Sequence, residues 1–300
     1  MFYESVLDMI GNTNMVSLKK VTGRNIFAKA EFLNPGGSIK DRVAKNMLDK
    51  AEQQGLLKPG MTIMEPTSGN TGIGIALVGI QKGYQVTIVM PENMSEERKK
   101  IIKALGADLI LTPAAENVDG ALTEVERQTK NNPNIYVPNQ FCNPTNPEAH
   151  YMGTGPEIWE QMEGKVDIFI SGMGSGGTLQ GVGSFLKEKN PDCIIVAAEP
   201  KNVSALLGHE PGFHKIQGIG DGFIPECLDT SVIDIVVEVT DDEAINTARR
   251  LAKVGGYLVG TSSGANVYAA ELMSDRFGAE KRVVTVLPDR AERYFSTSLI

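Results

Sequence analysis

The sequence predicts an α/β protein with parallel-rich sheets covered by helices on both faces, and three observations predict it. Short apolar runs alternate with helical stretches along the whole chain, which is the order of repeated strand–helix units. The runs are continuously apolar, as strands buried on both faces must be. Glycine- and hydroxyl-rich loops recur where a strand ends and a helix begins, at the strand carboxyl ends where such sheets bind ligands.

Taken in order, a glycine turn, Asn34-Pro35-Gly36-Gly37-Ser38-Ile39, runs into a helix opening at Lys40, with Val43, Met47 and Ala51 at helical spacing. The apolar run Thr62–Met64 is a strand, and from Thr71 onward Ile73, Ile75, Ala76 and Leu77 read as a helix. Strands follow at Val86–Met90, Leu109–Leu111 and Ile135–Val137, with helices at Glu96–Leu105 and Ala121–Lys130 between them. A second series has strands at Ile168–Ile170, Ile194–Ala198, Ile235–Val239 and Val283–Leu287, and helices at Leu179–Lys187, Glu243–Lys253 and Asn266–Met273. At 300 residues the chain exceeds the usual single-domain range, so two domains are expected.

Composition narrows the function classes. The net charge of −8, from 29 basic and 37 acidic residues, argues against nucleic acid or an anionic membrane as partner. Phe2-Tyr3-Glu4 does not read as a basic-then-apolar leader, so none is expected, and no apolar stretch reaches the length of a membrane span. Cys142, Cys193 and Cys227 lack pairing or metal-site spacing, so a reducing cytoplasm is the expected address. His150, His209 and His214 are too scattered for a metal site and read as structural or surface residues.

Four segments carry chemistry. Lys40 stands where backbone and helix dipole favour an anion, and an amine in a positive field has the depressed pKa that Schiff-base chemistry with an aldehyde cofactor requires; the plainer reading is a solvated first-turn lysine. Glu65-Pro66-Thr67-Ser68-Gly69-Asn70-Thr71-Gly72 offers four polar side chains at a helix start where a cap needs one, so an anion site is favoured over a cap. Gly172-Met173-Gly174-Ser175-Gly176-Gly177-Thr178 reads as a phosphate cradle, with four glycines freeing backbone amides and Ser175 and Thr178 adding hydroxyls. The same loop fits G-x-G-x-x-G, with Glu199 lying 22 residues after Gly177, so a nicotinamide-dependent oxidoreductase competes. In Gly260-Thr261-Ser262-Ser263-Gly264-Ala265 a hydroxyl either faces a ring nitrogen or caps the helix.

These segments together resemble the cysteine synthase (O-acetylserine sulfhydrylase) family of pyridoxal-phosphate enzymes, kin of cystathionine β-synthase. The resemblance extends through Ile10-Gly11-Asn12-Thr13, Asn139-Gln140-Phe141, Thr154-Gly155-Pro156-Glu157-Ile158, His214-Lys215-Ile216-Gln217-Gly218-Ile219-Gly220 and Glu292-Arg293-Tyr294. It implies the two-domain fold type II architecture of the tryptophan-synthase β-like enzymes: a smaller domain over 40–145 and a larger one from 1–39 with 146–300, the cofactor lying between them. It also implies a homodimer, and raises serine acetyltransferase as a partner. By the same resemblance Lys40 holds pyridoxal 5'-phosphate as a Schiff base and shuttles the Cα proton. Asn70 meets the ring hydroxyl, Gly174, Ser175, Gly176, Gly177 and Thr178 cradle the phosphate, and Ser262 meets the pyridine nitrogen. Thr67, Ser68, Gly69 and Thr71 receive the substrate carboxylate, with Gln140 and Gly218 beside them. A neutral hydroxyl at the ring nitrogen makes a weaker electron sink than an aspartate and suits β-elimination followed by β-addition.

Four departures from the family pattern stand out: Asn14-Met15-Val16-Ser17 near the start, Thr261, Ala291 before Glu292-Arg293-Tyr294, and Asp221 in place of a small alanine. The expected reaction is O-acetylserine plus sulfide giving cysteine. The alternative runs from cysteine, releasing hydrogen sulfide and giving serine or a thioether of the lanthionine or cystathionine type, with Asp221 as base.

Overall fold

The computed structural model describes residues 2–67 and 69–299; Ser68, one of the expected carboxylate-loop residues, lies outside the described residues. The strands are β1 (Met15–Ser17), β2 (Ile26–Lys29), β3 (Thr62–Pro66), β4 (Gln85–Pro91), β5 (Asp108–Thr112), β6 (Ile135–Tyr136), β7 (Ile168–Gly172), β8 (Ile194–Pro200), β9 (Ile235–Val239) and β10 (Val283–Val286). The helices are α1 (Lys19–Thr22), α2 (Lys40–Gln53), α3 (Asn70–Gln81), α4 (Glu96–Ala104), α5 (Asn117–Thr129), α6 (Thr145–Ala149), α7 (Gly155–Gln161), α8 (Gly177–Lys189), α9 (Asp241–Arg250) and α10 (Thr261–Phe277).

They form two sheets, one of six strands in the order β1-β2-β10-β7-β8-β9 and one of four in the order β5-β4-β3-β6. Every pairing is parallel except β1 with β2. The eight expected strands are present. The unexpected pair β1–β2 is short, and β1 falls in the segment that departs from the family pattern.

The continuous apolar strands bury both faces because successive residues point to opposite sides. In the larger sheet Ile168, Ile170, Val196 and Ala198 share a core with Ala265 and Ala269 of α10. The alternate residues Phe169, Ile195, Ala197 and Val284 pack with Leu179, Val182 and Leu186 of α8. The smaller sheet repeats the scheme: Ile63, Val86 and Ile88 pack with Val43 and Met47 of α2 and Ile73 of α3, while Met64 and Val89 pack with Ala121 and Val125 of α5.

Two local features set the active cleft. A π-helical turn, His150–Thr154, joins α6 to α7 in one continuous run, the kind of irregularity that re-aims side chains near functional sites. α8 lies so close to that run that a Cβ on Gly181 would come within 2.2 Å of the Pro147 carbonyl oxygen, and one on Gly177 within 2.0 Å of Asn146 Oδ1. Only glycine permits this approach. α10 begins at Thr261, earlier than the expected Asn266, so Ser262 sits in its first helical turn.

Candidate active site

The carboxyl ends of β3, β7 and β10 open on a cleft of about 440 Å³, within the range that holds a cofactor-sized ligand. Lys40, Thr67, Gly69, Asn70, Thr71 and Gln140 line one part of it. Gly174, Ser175, Gly176, Thr178, Gly218, Asp221 and Ser262 line the rest. Of the expected site residues among the described ones, Gly177 alone is not in the lining, being packed against Asn146.

Half-buried Lys40 donates from Nζ to Ser175 Oγ at 2.8 Å, linking the start of α2 to the glycine loop. Its pKa is lowered, as the sequence predicts, but for another reason. Burial does it, and the nearby charges of Asp221, Cys227 and Glu65 oppose the shift. The expected positive field is therefore not the cause; removal of the amine from water is.

The loop from Thr67 to Thr71 does not spend its hydroxyls on helix capping. The cap residue of α3 is Gly69, and Thr67 Oγ1 instead accepts from the Gly69 N–H at 3.1 Å. Thr71 Oγ1 donates to Gln140 Oε1 at 2.6 Å, which orients the glutamine amide. Buried Glu65 holds the Gln140 turn, accepting from the Asn139 and Gln140 N–H groups at 3.0 and 3.3 Å. Burial pushes its pKa up to about 7 against those two bonds and Lys40. Asn70 donates to Asp289 Oδ2 at 2.6 Å, which leaves its own Oδ1 buried and without a partner.

The glycine loop turns at Gly176, where φ is +77°, and delivers the uncapped amino end of α8 to the cleft. Gly174 packs so tightly that a Cβ would lie 2.5 Å from the Gly218 carbonyl oxygen. Thr178 Oγ1 is 3.4 Å from His150 Nε2, and burial lowers the His150 pKa to about 3, which keeps that ring neutral. At α10 the cap residue is Gly260 and no side chain caps the helix, so Ser262 does not serve as the cap.

These features fit pyridoxal 5'-phosphate. A desolvated amine, an orphaned buried amide oxygen, an uncapped helix terminus behind a glycine turn and a neutral hydroxyl at a second helix start all face one cleft. A dinucleotide reading does not fit. Buried Glu199 accepts from Ser204 Oγ at 2.5 Å and from the Ala205 and Leu206 N–H groups, so it is spent on the 3₁₀ turn that follows β8.

Further residues support the wall from behind or complete it. Asn146 ties Ser175 Oγ at 3.1 Å to the Gln140 carbonyl at 2.8 Å. Arg98 and Gln217 are hydrogen-bonded to each other across the lining. Gln217 falls in the His214–Gly220 segment, but Asn146 and Arg98 carry no signal in the sequence: Arg98 sits in a run of charges that reads as a solvated helix face.

Residues 6–289 match the family of pyridoxal-phosphate dependent enzymes, and the chain belongs to it. It is a pyridoxal 5'-phosphate enzyme of the cysteine synthase group, with the fold type II architecture. A Staphylococcus aureus cysteine synthase is 49% identical over 300 residues, spanning 99% of this chain and 96% of that protein. A cysteine synthase structure from Entamoeba histolytica superposes with a TM-score of 0.96 at 42% identity, covering 100% of this chain and 91% of that one. A hydrogen sulfide-producing enzyme from Fusobacterium nucleatum gives 0.94 at 39% identity, covering 98% and 100%. Among the described residues no helix is long and apolar enough to cross a membrane.

Proposed function

We propose that the enzyme catalyses β-replacement on a three-carbon amino acid, O-acetylserine plus hydrosulfide giving cysteine plus acetate. The carrying observation is the desolvated Lys40 amine at the meeting point of the Thr67–Thr71 loop and the glycine loop. Bound pyridoxal phosphate supplies the ring that takes up the electron pair released at Cα. Lys40 anchors it and carries the Cα proton, and its lowered pKa keeps a share of the amine in the basic form. Thr67, Gly69 and Thr71, in the loop that opens α3, with Gln140 beside them, receive the substrate carboxylate, and Ser68 belongs to the same set. Gly174 to Thr178 hold the phosphate, Asn70 meets the ring hydroxyl, and Ser262 faces the ring nitrogen without adding a charge there. Gly218 closes the wall beside Gly174. The reading places the cofactor between a smaller unit, 40–145, and a larger one, 1–39 with 146–300. The core that α2 shares with β3 and β4 supports that division. A homodimer, a serine acetyltransferase partner and a cytoplasmic setting complete it, the last supported by three free cysteines.

A second reading has one observation in its favour. Asp221 lines the cleft within electrostatic reach of Lys40; its side chain is open to the cleft yet ringed by protein, which raises its pKa against Lys40 and His214. A carboxylate there disfavours incoming hydrosulfide and can accept a proton from water or a thiol. Cysteine then enters, hydrogen sulfide leaves, and serine or a thioether forms. Sulfide consumption with O-acetylserine and sulfide release from cysteine, measured on the same holoenzyme, separate the two. The ratio of release to consumption should fall by about 10²-fold in Asp221→Ala if Asp221 is the base. An unchanged ratio leaves the cysteine synthase reading alone.

A further inference from the structure

Asp289 follows β10 and lies between the starts of two helices, with its side chain 1% exposed. Its Oδ2 accepts from Nδ2 of Asn70, the first residue of α3, at 2.6 Å. Its Oδ1 is so close to Gly260, the cap residue of α10, that a Cβ there would come within 2.3 Å of it. A buried carboxylate normally has a cation beside it, because an uncompensated charge out of water is costly. Glu31 and Glu157 take that ordinary solution, each bonded to Arg42. Among the described residues Asp289 enters no ion pair. The Tyr294 hydroxyl donates to the same Oδ2, and Oδ1 has no partner.

Tyr294, also 1% exposed, is fixed in turn. Arg98 Cζ lies 4.8 Å from its ring centroid, and burial together with the Asp289 charge raises its pKa, so the hydroxyl keeps its proton and donates. An amide can present either end, and at Asn70 this pairing decides which. A carboxylate only accepts, so the NH₂ end faces Asp289, and turning the amide over would set Oδ1 against Oδ2. What remains to Asn70, a half-buried residue of the cleft lining, is its second N–H and an Oδ1 with no protein partner. A polar group held in one orientation rejects a ligand that lacks the matching group, because it is then left unpaired.

We infer that Asp289, held by Tyr294, is a positioning residue: it fixes the Asn70 amide against the cofactor's ring hydroxyl and makes the protein select a hydroxylated ring. The inference rests on the reading in which Asn70 meets that hydroxyl, and adds the two residues behind it. Neither Asp289 nor Tyr294 lines the cleft, so their route to the hydroxyl is the Asn70 amide.

The test titrates apoenzyme with pyridoxal 5'-phosphate and with its 3-deoxy analogue, which lacks the ring hydroxyl, and reads the ratio of the two Kd values. Asn70→Ala is the reference and should lower the wild-type preference for the hydroxylated ring by about tenfold. Asp289→Ala should lower it by about fivefold, and Tyr294→Phe, which leaves the carboxylate in place, by about threefold. In the Asn70→Ala background, Asp289→Ala should change the ratio no further, since the two residues act as one unit. A merely structural Asp289 weakens both ligands alike, so a wild-type ratio in Asp289→Ala beside a lowered one in Asn70→Ala overturns this inference and leaves the Asn70 contact standing. If Asp289→Ala does not fold, Tyr294→Phe decides by the same criterion. A wild-type ratio in Asn70→Ala fails the Asn70 reading and the inference with it.

Discussion

Lys40 and Arg42 stand two positions apart on α2 and meet opposite electrostatic fates. Arg42 reaches away from the cleft into a closed network: Nε and Nη2 bond Glu31 at 2.7 and 2.8 Å, and Nη1 and Nη2 bond Glu157 at 2.6 and 2.7 Å. Lys29 adds a second cation, 2.7 Å from Glu157 Oε2, so two positive groups face two negative ones. Burial alone would raise the carboxyl pKa values, but the cations outweigh it and bring Glu157 down to about 2. Lys40 has a neutral hydroxyl as its hydrogen-bond partner, and the acids near it, Glu65 and Asp221, carry raised pKa values of their own. The first cluster is fully compensated and fixes structure. The second is left short of partners, which is how a site keeps groups ready for a ligand and for proton transfer.

The sharpest way to break the comparison is to exchange consequences between the two residues. Lys40→Ala should cost about 10²- to 10⁴-fold in turnover, the range for a lost acid–base group, with little loss of thermal stability. Near-native kcat would remove Lys40 from the chemistry. Arg42→Met should do the reverse, destabilising by about 3 to 5 kcal/mol because buried Glu31 and partly buried Glu157 lose their main partner. Denaturant midpoints read this directly, and a midpoint shift below that of an ordinary surface substitution would show that the network is not structural.

The same contrast explains how much could be read from sequence. Strands buried on both faces announce themselves as apolar runs, so eight of the ten were legible, whereas β1 is three residues long and β2 four, too short to carry a period. The glycine loop, Lys40 and the Thr67–Thr71 loop were visible because backbone demands restrict residue type there. Arg98 and Asn146 act through contacts with residues outside their own segments, and nothing local marks them; Glu65 lies in a marked segment, but its hold on the Gln140 turn, 75 positions away, is not legible there. Even for Lys40 the direction of the pKa shift was legible while its cause was not. The helix dipole is a local property, but burial is set by the facing glycine loop, 135 positions away at Ser175.

The smallest predicted effect separates the two clusters by the sign of their pH dependence. Glu157 and Glu31 have folded pKa values below the ordinary glutamate value of 4.5, so their stabilisation is present above that value and is lost as the pH falls toward 2. Glu65 behaves oppositely. Its folded pKa is about 7, so between pH 4.5 and 7 the folded state binds more protons than the unfolded one, and stability declines as the pH rises through that window. Above pH 7 the cost is complete. A shift of this size corresponds to roughly 3 kcal/mol, and Asp41, raised to about 7 by burial, adds a contribution of the same sign. Glu65→Gln removes the Glu65 part while leaving that of Asp41. The loss of stability between pH 5 and pH 8, measured by urea unfolding of holoenzyme, should shrink by that amount relative to the wild type, because cofactor effects common to both cancel in the difference. If the variant loses as much stability over this interval as the wild type, Glu65 is already ionised at pH 5 and the Gln140 turn is held by a charged carboxylate throughout.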